Sequence, residues 1–126
     1  MTERLPGDAL AVLRDAREVR VETRSAPDVP PHRTTVWVVV DDQERAFIRT
    51  AYGPGSRWYR EALAAGTAGI LVDGQRIKVS VEHVDDERID ACSEAYRRKY
   101  ASSRGSLATM LQPDVLPTTL ELHPAP

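Results

Sequence analysis

Between residues 34 and 84 the chain alternates apolar runs with turn-forming residues, and this stretch organises the rest. Val36, Trp37, Val38, Val39 and Val40 make a run without alternation. A continuous β-branched run of this kind predicts a strand covered on both faces, by a helix or by a second subunit. Asp41, Asp42, Gln43 and Glu44 then form a turn into an antiparallel partner over residues 45–51. In that partner Ala46, Ile48 and Thr50 share one face, and Arg45, Phe47, Arg49 and Ala51 share the other. A loop at residues 52–56, carrying Gly53 and Gly55, leads into a short helix over residues 57–63. Strand character returns at residues 70–72 and 76–84, joined by Asp73 and Gly74. Asp-Gly marks a type I′ hairpin, whose two central residues both need positive φ.

The flanks follow the same logic. Asp8 is placed to cap a helix bearing Leu10, Val12, Leu13 and Ala16. Residues 18–24 alternate apolar and polar, as a strand with one wet face does. Pro27, Pro30 and Pro31 make residues 25–33 a loop, because proline donates nothing to a ladder. From Asp85 onward runs the one long helix, with acids first and Arg97, Arg98 and Lys99 last, complementing the macrodipole. Its inward face is Ile89, Cys92 or Ser93, Tyr96 and Tyr100. Residues 102–111 predict a short helix or ordered loop, and residues 118–122 a last strand. This amounts to six antiparallel strands with helices between them. Six strands in a single domain spanning residues 1–126 tend to close, since closure removes unpaired edges. The predicted class is α+β, a six-stranded barrel with helices outside.

Composition narrows the function classes. A net charge of −2 argues against bulk electrostatic binding to nucleic acid or acidic lipid. No window approaches the roughly 20 apolar residues of a membrane span. The first residues lack the order of a signal peptide, and the single cysteine, Cys92, has no internal disulfide partner. Both features lead us to expect a cytoplasmic protein. Of 17 basic residues only Lys78 and Lys99 are lysine. That bias reflects either codon usage or guanidinium forks for a phosphate or carboxylate.

The best candidate chemistry lies at the loop-to-helix junction. Gly53 and Gly55 let backbone approach a ligand, and the free amides of a helix start favour an anion. Ser56 offers a hydroxyl, and Arg49, Arg57 and Arg60 have the spacing to converge on one anionic group. The junction lacks the Gly-Lys-Ser/Thr ending of a phosphate-binding P-loop, and a plain turn with surface arginines has the same spacing. Trp37, Tyr52, Trp58 and Tyr59 fall close enough in sequence to wall a pocket for a planar ligand. Of these Trp37 suits the core better, and Trp58 and Tyr59 the ligand. His32, His83 and His123 stand far apart, and their spacing supports no metal site. Catalytic residues are not identifiable, and no hydrolase motif is present.

This layout resembles the split β-barrel of the pyridoxamine 5′-phosphate oxidase-like superfamily, which includes flavin and deazaflavin reductases. The resemblance is carried by residues 36–40, by Phe47, Ile48, Arg49 and Thr50, and by residues 53–60. Together with Tyr96, Arg97, Arg98, Lys99 and Tyr100 it is similar, more narrowly, to a branch of small bacterial proteins catalogued as a domain of unknown function. It extends over about residues 19–122. The resemblance implies an FMN or deazaflavin cofactor bound at a homodimer interface, with phosphate contacts on Arg49, Thr50, Ser56 and Arg57. Gly53, Gly55, Trp58 and Arg60 belong to the same expected cofactor site, and Trp37, Tyr52 and Tyr59 to the substrate pocket.

Two departures bear on this. The short helix reads Glu61, Ala62 and Leu63 where relatives carry an Asn or Pro, and the Gly-Pro-Gly insert alters the phosphate loop. The leading expectation is an oxidoreductase acting on a small organic molecule. Its rivals are a cofactor-free enzyme of small-molecule metabolism using general acid/base catalysis, and a non-enzymatic binding module for an anionic metabolite.

Overall fold

Residues 4–126 are described by this computed structural model. Helix α1 (Gly7–Asp15) leads to β1 (Val19–Thr23), β2 (His32–Val36), β3 (Val38–Val40) and β4 (Ala46–Ile48). Helix α2 (Arg57–Ala65) precedes the hairpin β5 (Thr67–Val72) and β6 (Gln75–His83). Then come α3 (Asp86–Lys99), α4 (Arg104–Met110), a 3-10 turn (Leu116–Thr118) and β7 (Leu120–Pro124). All pair antiparallel in one sheet of order β2-β1-β5-β6-β7-β4-β3.

The pattern predicts six strands; the sheet has seven. The extra strand comes from the apolar run at residues 36–40, which divides at Trp37. Val36 pairs with Val19 of β1, whereas Val38 pairs with Ile48 of β4. These are opposite edges of the sheet, so two edge strands are joined through a single residue. The sheet therefore has to curl until its edges meet, which makes it a split barrel.

Smaller differences follow from the same pairing. Residues 25–33 are loop only as far as Pro31, because His32 and Arg33 pair with Thr23 and Glu22. The strand expected over residues 45–51 is paired only as Ala46–Ile48. The final strand begins at Leu120, after the 3-10 turn, rather than at Thr118. Helix α1 starts after Pro6, and the Asp8 carboxylate accepts the adjacent Ala9 amide at 3.0 Å instead of capping from outside. The Asp73–Gly74 turn is as predicted, with φ of 50° and 72°.

Two apolar layers hold the fold. The barrel interior collects Val21, Val38, Ile48, Ile70, Val79, Leu120 and Leu122, plugged by Leu10 and Leu13 of α1 and by Trp58, Tyr59 and Ala62 of α2. A second layer lies outside β3 and β4, where Val39 and Phe47 meet Cys92, Ala95, Tyr96 and Tyr100. Helix α3 thus covers the second face of the apolar run, and that run needs no partner subunit to bury it. Asp85 starts α3 by accepting the Arg88 amide at 3.1 Å. No helix among the described residues is long and apolar enough to cross a membrane.

Candidate functional site

Arg49 follows the last residue of β4 on the face that carries Phe47, so alternation sends it toward α3 and not into the barrel. It is 1% exposed. Its Nε donates to Thr119 Oγ1 at 2.8 Å, and Nη1 donates to the Met110 carbonyl at 3.1 Å. Nη2 donates to the Ile89 carbonyl and the Ser93 hydroxyl, both at 2.9 Å, and the guanidinium lies 5.3 Å from the Tyr96 ring centroid. Four of its five N–H groups are thereby used, all on neutral acceptors.

Arg45, four residues earlier on the same face, is a useful contrast. Its Nε reaches Asp41 Oδ2 at 2.7 Å and its Nη1 reaches Glu87 at 3.4 Å. Burial works against its charge, but the hydrogen bonds to Asp41 and Glu87 outweigh that and hold its pKa above the usual value. Among the described residues no carboxylate lies within ion-pair distance of Arg49. The molecule therefore buries one guanidinium with hydrogen bonds but without a counter-charge, an arrangement that electrostatics disfavours unless an anion approaches.

Arg49 lines a groove of about 400 Å³ whose other walls are Glu18, residues 34–36, Trp37, Ala51, Tyr52 and Trp58, with Ser106, Thr109 and Met110 of α4 closing one side. Trp37 lies flat on Tyr100, with centroids 3.7 Å apart and planes 3° from parallel. Tyr100 is itself held by a hydroxyl shared between the Arg17 and Val38 carbonyls at 2.8 and 3.1 Å. Trp58 is 4% exposed, whereas Tyr52 is 88% exposed and stands at the rim. Two further grooves, of about 420 and 690 Å³, carry no aromatic residue in their walls.

The junction loop folds tightly on itself. The Gly53 amide donates to Thr50 O at 3.2 Å, and the Ser56 amide to Gly53 O at 3.3 Å. Gly53 has φ 78°, a conformation that side chains with a Cβ disfavour. Thr50 Oγ1 donates to Ser56 Oγ at 2.9 Å, so these two predicted residues meet one another, and Ser56 makes no side-chain cap to α2.

The structure thus brings Trp37, Arg49, Tyr52 and Trp58 to one groove, and Thr50 to Ser56 beside it. Arg57 and Arg60 are exposed on α2 and do not line the groove, so the three arginines do not converge. Gly55 is an exposed turn residue. Tyr59 belongs to the barrel interior, its hydroxyl 2.5 Å from His83 Nε2. Sequence spacing gave no hint of Ser106, Thr109 and Met110, which tertiary folding alone delivers. It also missed that His123 stands beside Glu82 and Glu121. Cys92 is fully buried, and burial pushes its thiol up to about 12 despite the opposing charge of Arg49. That excludes it as a ready nucleophile.

Comparison with known proteins agrees with the architecture. A protein from Listeria innocua described as "Putative Pyridoxamine 5'-phosphate oxidase" superposes with a TM-score of 0.61 at 16% identity, covering 94% of this chain and 92% of that one. An F420-H2 dependent reductase gives 0.62 at 10%, over 85% and 94%. HutZ, a heme storage protein from Vibrio cholerae, gives 0.63 at 13%, over 98% and 92%. The chain spans only 54% of a longer neighbour of unknown function from Agrobacterium tumefaciens, at TM-score 0.60 and 14% identity over 94% of this chain. Identities this low establish the shared split-barrel fold and nothing finer. No functionally curated protein matches in sequence. A family model does match, over residues 9–122, and the chain belongs to that family, "Uncharacterized protein conserved in bacteria (DUF2255)".

Proposed function

We propose that the groove over Arg49 binds a planar, anionic cofactor of the FMN or deazaflavin type, and that the protein is an oxidoreductase acting on a small organic molecule. The carrying observation is the buried, uncompensated Arg49 at the edge of an aromatic-walled groove. Its remaining N–H and the Ser106 hydroxyl offer donors to a phosphate. Trp37 and Tyr52 offer aromatic surface to a ring system, and the largely buried Trp58 contributes to the wall. A groove of about 400 Å³ falls in the size range of small-molecule sites. The cofactor supplies hydride chemistry; the chain's part is to hold the anion, orient the ring and exclude water from one side. The reading includes a homodimer in which a second copy covers the exposed Tyr52 rim.

Titration of purified protein with FMN, a deazaflavin and riboflavin tests this, following quenching of flavin fluorescence. The phosphorylated ligands should bind about 10- to 150-fold more tightly than riboflavin, the range of one or two charge-assisted contacts. Tyr52→Ala, at an exposed position that the fold does not need, should weaken binding of all ligands. Sedimentation should show a dimer at micromolar concentration. A protein that ignores all three ligands overturns the cofactor, and leaves acid/base catalysis without one, or binding of another anionic metabolite, as the function of the groove.

A further inference from the structure

A second site lies on the outer face of β6 and β7. Glu82 and Glu121 are directly opposite one another in the antiparallel ladder, and His123 follows two residues along the same face. Their potential ligand atoms all fall within 4.8 Å of one another. Glu121 and His123 have side chains only 5% and 7% exposed, whereas Glu82 is 51% exposed. His123 Nε2 is 2.8 Å from Glu82 Oε1, and its Nδ1 is 3.8 Å from Glu121 Oε2. Arg88 Nε approaches Glu121 Oε1 at 3.4 Å, yet neither atom makes a hydrogen bond. Glu121 therefore keeps a buried carboxylate oxygen, on its Arg88 side, without a hydrogen bond, while its other oxygen is the one nearest His123.

We propose that Glu82, Glu121 and His123 form a binding site for one divalent transition cation of the zinc class. Two like charges facing each other across a ladder repel, and a dication between them turns that repulsion into attraction. One imidazole nitrogen and two carboxylate oxygens make a mixed donor set that suits zinc and its neighbours rather than a thiophilic or an alkaline-earth ion. Bond lengths of about 2.1 Å require ligand atoms no more than about 4.2 Å apart. The half-exposed Glu82 supplies the needed adjustment, because it alone of the three ligands is not buried. Arg88, 38% exposed, turns outward as the ion takes its place beside Glu121. The two buried ligands sit on a rigid strand that begins immediately after Thr119, the residue holding Arg49 Nε, so the ion also braces the support of the groove.

The test uses the full chain stripped with a chelator, titrated with Zn(II) by calorimetry and with Co(II) by visible absorption. One ion per chain should bind, with Kd of about 10 μM or tighter, and raise the melting temperature. Glu82→Gln should weaken binding by about 10-fold or more without lowering the melting temperature of the metal-free protein. His123→Asn should abolish the Co(II) spectrum. His32→Asn, which removes the histidine of the separate His32–Glu61 pair, should leave it unchanged. No binding up to about 1 mM, or binding that survives both Glu82→Gln and His123→Asn, overturns the site and leaves a hydrogen-bonded cluster.

Discussion

Trp37 lies on Tyr100 as one plate on another, 3.7 Å between centroids and 3° between planes. The pair joins the residue at which the apolar run divides to the end of the long helix. It ties the wall of the groove to the layer that covers the barrel's outer face. Trp37→Ala should cost about 2 kcal/mol, less than the usual 3–5 kcal/mol for a fully buried aromatic because the ring is partly exposed. Trp37→Phe should recover about half of that. Denaturant midpoints check both values.

Arg49 should be more costly to replace than any other arginine. Its loss leaves the Ile89 and Met110 carbonyls and the Ser93 and Thr119 hydroxyls without their donor. Arg49→Met should destabilise by about 3 kcal/mol or more. Arg49→Lys should rescue little, since a single ammonium cannot reach acceptors spread around a planar fork. Arg20→Ala, an exposed control, should fall within about 0.5 kcal/mol of wild type. Chemical denaturation of the three variants decides.

Cys92 should be silent in the folded protein. With no exposed surface and a thiol at about 12, it presents no thiolate at neutral pH. A disulfide reagent should report no reactive thiol in native protein and one per chain in denaturant.

At strongly alkaline pH, stability should fall. Burial raises Tyr100 and Cys92 to about 12 in the folded state, against 10.0 and 9.0 in the unfolded chain. Their stabilising effect is complete below about pH 9 and is lost as pH rises toward 12, because the unfolded chain releases these protons first. Lys99 acts in the opposite direction. Burial lowers it from 10.5 to about 8 while it donates to the Leu13 and Val38 carbonyls. Between those two values the unfolded chain holds the proton that the folded one has released, so this residue makes stability rise with pH. Lys99→Met should therefore remove this rise between pH 8 and 10.5, read from denaturation at several pH values. Lysine-labelled NMR of the wild type should show one of its two lysines titrating near 8.

Local pattern alone carried much of the architecture. Alternation, Asp-Gly chemistry and acidic-to-basic charge order placed β1, the β5–β6 hairpin and α3, because each signal acts within one element. Burial of the run at residues 36–40 on both faces was legible too, but not that α3 provides the outer cover. Of the four aromatics clustered in sequence, Trp37, Tyr52 and Trp58 do meet at one groove, although Trp37 read better as core, and Tyr59, read as a ligand residue, turns into the barrel. The seventh strand was not legible, since residues 36–40 read as one strand until Val19 and Ile48 are known to claim its two halves. Nor was the fate of the arginines. Arg45 and Arg49 look alike in sequence, yet Asp41 and Glu87 neutralise one, while carbonyls from α3 and α4 leave the other charged. Glu82 and His123 lie 41 positions apart, and only the register of β6 against β7 brings them together. Periodicity is a property of neighbours along the chain, whereas counter-charges, ligand sets and closing edges are set by long-range pairing.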